Sequence, residues 1–216
     1  MKYNRESSCM RYRLAIFDFD GTLADSFAVF MRAFNECAAR FGTRAIEEHE
    51  LGELRGMGAR ALQMRLGIPA WKTPLIAREM RNRMSRELHN VRLFDGMDRV
   101  LSELSDAGIA LAIVTSNSER NVRAVLGPDH AARIRHYDCG ASVFGKAPRF
   151  TRTLRSTGIP AASALSIGDE IRDAEAAEKT GIDFGAVTWG YTLPEALAAC
   201  SPRMTFDRVE DLLSLV

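Results

Sequence analysis

Two carboxylates stand two residues apart at the end of an apolar run near the start of the chain, in Phe17-Asp18-Phe19-Asp20-Gly21-Thr22-Leu23-Ala24-Asp25-Ser26. In a regular strand they share one face, and like charges that close are costly unless something offsets them. A divalent cation is the usual partner, and Gly21 permits a sharp turn out of the strand. The competing reading is a pair of solvated loop acids. Further acids follow another apolar run, in Leu165-Ser166-Ile167-Gly168-Asp169-Glu170-Ile171-Arg172-Asp173, with Asp173 one helical turn beyond Asp169. A third run ends in hydroxyls and an amide, Leu111-Ala112-Ile113-Val114-Thr115-Ser116-Asn117. Helix capping is the plain alternative there, and Ser118 suits it best. Lys146 is one of four lysines beside 25 arginines, so its isolated place before Ala147-Pro148 stands out.

These groups need a scaffold that brings the run ends together. Short apolar runs alternate with amphipathic stretches, the pattern of a parallel α/β sheet. Strands are expected at 14–17, 110–114, 137–139, 164–167, 184–188 and 204–206, and helices near 97–107, 118–127, 147–157, 170–180 and 207–215. Residues 27–91 break the alternation. Phe27, Phe30, Met31 and Phe34 fall at helical spacing, as do Met80, Met84 and Leu88. A Met stripe of this kind reads as core packing rather than a cofactor site. The expected fold is therefore α/β, a doubly wound parallel-sheet core formed by residues 1–26 and 92–216, with an inserted all-helical cap at 27–91. The insertion carries a net charge of +4 against −3 for the remainder, which suits an anionic substrate or simply a solvated face. In open sheets of this kind ligands bind at the C-terminal strand edge, where all the groups above lie.

Taken in order, the four stretches resemble the signatures of the haloacid dehalogenase-like superfamily, most closely its phosphatase branch, the first in the form DxDGTLxDS. The insertion looks like that family's C1-type cap, and Thr188-Trp189-Gly190-Tyr191 resembles its phosphoglycolate phosphatase-like branch. One departure is Ala147, since members often carry Pro directly after the lysine. The resemblance implies Mg²⁺-dependent hydrolysis of a small phosphomonoester, 2-phosphoglycolate by default, through an aspartyl-phosphate. It makes Asp18 the nucleophile, a carboxylate being ionised at neutral pH without help from a base. It makes Asp20 the acid that protonates the leaving alkoxide and then activates water. Thr115, Ser116, Asn117 and Lys146 become phosphate ligands. Mg²⁺ is expected on Asp18, Asp169 and the backbone carbonyl of Asp20, with Asp173 behind them.

Asp20 argues against the family's metal-independent dehalogenases, which lack the second acid, and its transport ATPases, which carry Thr there. A sugar-phosphate mutase of the β-phosphoglucomutase type is the alternative enzyme, distinguished by transfer to a second substrate hydroxyl rather than to water. Phosphonate hydrolysis would need a cap lysine, and Lys72 is the only one. A non-catalytic phosphate-binding regulator on this scaffold would have no use for the complete residue set. Within the insertion, the glycine-rich loop 52–58 is expected to face substrate, with Arg55 reaching an anionic leaving group or else forming a surface salt bridge. Asp25 and Ser26 are the expected hinge. Glu170 receives no role.

Composition narrows the partners. The chain has 216 residues, 46% apolar and 26% charged, with a net charge of +1, which excludes a disordered chain and argues against nucleic-acid binding by the whole surface. The longest apolar run, 109–114, is far below the roughly 20 residues that cross a bilayer. Cys9, Cys37, Cys139 and Cys200 form no CxxC, and the four histidines stand singly, so reduced thiols in a cytoplasmic protein are expected rather than disulfides or a zinc site. Residues 1–13 lack the apolar segment of a secretory signal and read as a loose tail, with Met10 an alternative start. Gly140 to Lys146 mimics the opening of a P-loop, but Ala147 stands where Ser or Thr must hold the ion. No G-x-S-x-G elbow is present. Monomer and homodimer are equally compatible with the sequence.

Overall fold

Leu14 and Ile16 pack into one apolar cluster while Ala15 and Phe17 pack into another, all four fully buried. Period-two alternation between two cores is what a strand covered on both faces requires. Leu111 and Ile113 against Ala112 and Val114 repeat it, which fixes both runs as central strands. The computed structural model describes residues 11–140 and 145–216. Its strands are β1 (Leu14–Phe17), β2 (Ala24–Asp25), β3 (Arg92–Leu93), β4 (Ala110–Val114), β5 (Ile134–Asp138), β6 (Ala164–Gly168), β7 (Asp183–Val187) and β8 (Met204–Phe206). The helices are α1 (Phe27–Phe41), α2 (Leu51–Leu54), α3 (Ala59–Arg65), α4 (Thr73–Arg86), α5 (Met97–Asp106), α6 (Glu119–Arg133), α7 (Ala147–Thr157), α8 (Ile171–Thr180) and α9 (Pro194–Ala198).

Six strands form one parallel sheet in the order β5-β4-β1-β6-β7-β8, a central parallel sheet with helices around it, and so the expected α/β class. β1 lies between β4 and β6, and the chain works outward from it first to one side and then to the other. The carboxyl ends of these three strands deliver Asp18, Thr115 and Asp169 to one edge. Between β2 and β3, a short antiparallel ribbon, the helices α1–α4 gather round their own small core of Phe34, Ala38, Ile46, Leu54 and Leu66. No helix among the described residues is long and apolar enough to cross a membrane.

Several expectations shift. The strand expected at 137–139 runs Ile134–Asp138, and the helix expected at 118–127 continues to Arg133 after a non-helical Gly127 (φ 72°, ψ 170°). The segment near 207–215 is a 3-10 helix, Val209–Leu215. The expected tail ends sooner than residue 13. Tyr12 is buried and donates to Asp183 at 2.7 Å, and Arg11 pairs with the same carboxylate. The rest of that tail, with Cys9 and Met10, lies outside the described residues, as do residues 141–144 of the P-loop-like stretch.

Candidate active site

The chain leaves β1 at Asp18 and turns at once. The Phe19 carbonyl accepts the N–H groups of Thr22, Leu23 and Ala24, so Asp18 and Asp20 stand on a tight loop and not on one strand face as expected. Asp18 is buried. One oxygen accepts the Phe19 N–H at 2.7 Å, and Lys146 Nζ lies 2.6 Å from the other. Lys146 sits at the start of α7 and also reaches Asp173 at 2.5 Å. Burial alone would lower the pKa of this ammonium, but Asp173 and Asp18 more than reverse that and hold it above the ordinary lysine value.

Asp169, at the end of β6, is fully buried and gripped from two directions. Thr22 Oγ1 donates to it at 2.6 Å and the Tyr191 N–H at 2.7 Å. Backbone passes so close that a Cβ at Gly190 would lie 2.1 Å from Asp169 Cβ, and one at Gly21, where φ is +79°, 2.3 Å from its carboxylate. Both positions therefore demand glycine. Burial first, then Glu170, Asp18 and Asp173, push the Asp169 carboxyl well above its usual range. Asp18, Asp169 and Asp173 each bring a carboxylate oxygen within 4.8 Å of the others. A buried cluster of hard oxygen donors that raises its own protonation energy fits a hard divalent cation, which would reverse that push.

Asp20 lines the floor of a cavity under the helical insertion. Its pKa is raised to about 6, by burial first and by Asp18 second. The Asn117 amide, expected at the phosphate, donates instead to both Asp20 oxygens at 3.3 and 3.0 Å. The Asn117 carbonyl in turn accepts from Asn121 Nδ2 at 3.0 Å, and the same nitrogen donates to Ser85 of α4 at 2.7 Å. A line of side chains thus runs from the insertion to Asp20. Thr115 is buried and its oxygen accepts the Asn117 N–H at 3.0 Å, which leaves its own proton to donate. Ser116 joins Asp20 on the cavity floor, and Ser118 caps α6 as expected.

Among the described residues Arg55 has no salt-bridge partner. Its Nε and Nη2 donate to the carbonyls of Tyr191 and Gly190, both at 2.8 Å, so one edge of the guanidinium ties the α2–α3 loop to the core. Asp173 holds Lys146 and accepts the Glu170 N–H at 3.1 Å, while Glu170 itself pairs with Arg172. Arg172 was not foreseen. Its Nη2 lies 4.0 Å from Asp18, its side chain is only 16% exposed, and its buried Nε has no partner. A lone cation inside an acidic stretch was the available signal. Tyr191 was likewise missed as a site residue. It packs on Phe27 and Phe30 of α1, and its hydroxyl hydrogen-bonds with that of Ser26 at 2.8 Å.

The chain is similar to known proteins. A family model described as haloacid dehalogenase-like hydrolase matches residues 15–187. The phosphoglycolate phosphatase of Synechococcus elongatus is 30% identical over 202 residues, covering 93% of this chain and 95% of that protein. A candidate phosphoglycolate phosphatase from Lactobacillus plantarum superposes with a TM-score of 0.81 at 23% identity, over 96% of this chain and all of the other. The phosphate complex of CbbY from Rhodobacter sphaeroides superposes with a TM-score of 0.71 at 25% identity, over 93% and 96% of the two chains.

Proposed function

The chain belongs to the haloacid dehalogenase-like hydrolases and is a phosphoric monoester hydrolase, and from that premise we propose that it cleaves a small-molecule phosphomonoester through an aspartyl-phosphate on Asp18. The relatives' names put 2-phosphoglycolate first among esters to assay. The observation that carries the reading is the buried Asp18 with Lys146 at 2.6 Å, beside a second acid whose pKa is near 6.

Asp18 attacks phosphorus, forming a new P–O bond as the P–O bond to the alcohol breaks. Asp20, protonated, gives its proton to the departing alkoxide. The resulting Asp20 carboxylate then takes a proton from water, whose oxygen attacks phosphorus and releases Asp18 and phosphate. Lys146 and the Thr115 hydroxyl face the phosphoryl oxygens and spread their charge, with Ser116 beside them. Mg²⁺ would be held by Asp18, Asp169 and the Asp20 carbonyl, with Asp173 behind, and would neutralise phosphoryl charge when bound. Residues 27–91 act as a lid over the cavity, hinged near Asp25 and Ser26. A cytoplasmic setting belongs to the reading, which Cys37, Cys139 and Cys200 support by forming no disulfide among the described residues.

The test is phosphate release from a panel of esters with Mg²⁺ and with chelator. The native protein should turn over in Mg²⁺ only, and Asp18→Asn should be inactive while keeping its circular dichroism. Undiminished turnover in Asp18→Asn rules the mechanism out. Beryllium fluoride should protect the native protein against thermal unfolding, in Mg²⁺, and leave Asp18→Asn unaffected.

A further inference from the structure

The cavity that begins at Asp20 does not stop there. It extends to about 250 Å³ between α1 and α4, and its far walls are Phe30, Phe34, Leu54, Leu62, Met80 and Met84. The polar groups on those walls are largely engaged elsewhere. Gln63 donates to the Ile68 carbonyl at 3.1 Å and to Thr73 at 3.0 Å, and Arg55 is tied to two backbone carbonyls. An apolar chamber opening directly on the general acid lies where the alcohol half of an ester must sit, because the acid protonates the oxygen joining that half to phosphorus.

Building on the phosphatase reading, we propose that the alcohol half of the preferred substrate is apolar: an aryl group or an alkyl chain of about six to ten carbons. An apolar cavity of about 150 Å³ already holds a benzene ring, so this one accepts a somewhat larger body. Each buried methylene favours binding by about threefold to fourfold. A carboxylate in the same place would lose its water without gaining partners from these walls. The exceptions are Arg81, which lines the chamber with no carboxylate paired to it among the described residues, and Arg172, which Glu170 holds near Asp18 at the other end.

The experiment compares kcat/KM in Mg²⁺ for ethyl, butyl, hexyl and phenyl phosphate, 2-phosphoglycolate and acetyl phosphate, with hexylphosphonate and ethylphosphonate as competitors that cannot be hydrolysed. We expect kcat/KM to climb about threefold to fourfold per methylene until the chamber is full, and hexylphosphonate to inhibit at least tenfold more tightly than ethylphosphonate. Ala77 lines the chamber, and Ala77→Phe should fill it. The ratio of hexyl phosphate to acetyl phosphate turnover should then fall by tenfold or more, a change that a general loss of folded protein does not produce. A higher kcat/KM for 2-phosphoglycolate than for hexyl and phenyl phosphate overturns the proposal. A ratio preserved in Ala77→Phe overturns it as well. Absence of Mg²⁺-dependent phosphate release from every ester, and from the acyl phosphate acetyl phosphate as well, defeats the phosphatase reading itself, and so the two failures are separable.

Discussion

An alanine at position 190 would set its methyl carbon 2.1 Å from Asp169 Cβ, a distance no relaxed side chain tolerates. The carboxylate that Thr22 and the Tyr191 N–H hold must then move. Losses of this supporting kind typically cost about tenfold to hundredfold in metal affinity. Gly190→Ala should accordingly raise the Mg²⁺ concentration for half-maximal turnover by about that factor, measured by titrating Mg²⁺ into the assay, while substrate KM at saturating Mg²⁺ changes little. Asp169 itself was legible from its place after an apolar run. Gly190 was not, because it meets Asp169 only once β7 has paired beside β6. Asn117 shows the complementary limit: its position at a strand end was readable, but the choice between holding phosphate and holding Asp20 depends on a loop 97 residues away.

The central strands β1 and β4, buried on both sides, have the boundaries that apolar runs alone suggest, and the edge strand β8 and the helix α7, Ala147 to Thr157, also match. The edge strand β5 did not, since Ile134–Asp138 reads Ile-Arg-His-Tyr-Asp and its inner and outer faces are hard to tell apart by type. The β2–β3 ribbon was invisible for a simpler reason: two residues per strand carry no period. Arg55 belongs at this scale as well, because its two carbonyl bonds fasten the α2–α3 loop to the loop after β7. Arg55→Ala should loosen that loop, speeding amide exchange over residues 51–66 and raising KM by about tenfold for every ester alike. A KM rise confined to carboxylate-bearing esters would show that Arg55 touches the leaving group directly.

Across the whole molecule, the insertion's net charge of +4 lies over a remainder of net −3, with the buried acids Asp18, Asp169 and Asp173 in the latter. Lys146 and Arg172 balance only part of that buried charge. A cation that binds the folded chain and not the unfolded one stabilises it by about 2.7 kcal/mol at a hundredfold excess over Kd, or about 5–10 °C for a protein of this size. Thermal unfolding in Mg²⁺ at about a hundredfold excess over its Kd, against chelator, should show that rise. Asp169→Asn should lose the Mg²⁺ response yet unfold at a higher temperature than the native chain in chelator, since it removes a repelled charge. An unaltered response in that variant would place the ion elsewhere.

The line from Ser85 through Asn121 and Asn117 to Asp20 is complete only while α4 rests against α6. Seating of the insertion is thereby coupled to the proton donor through one hydrogen bond, Ser85 to Asn121, while Asn121 and Asn117 keep their hold on Asp20 from the core. An ester too short to keep α4 seated would then lose some turnover as well as binding, because the same contact that closes the chamber steadies the chain of amides behind the acid.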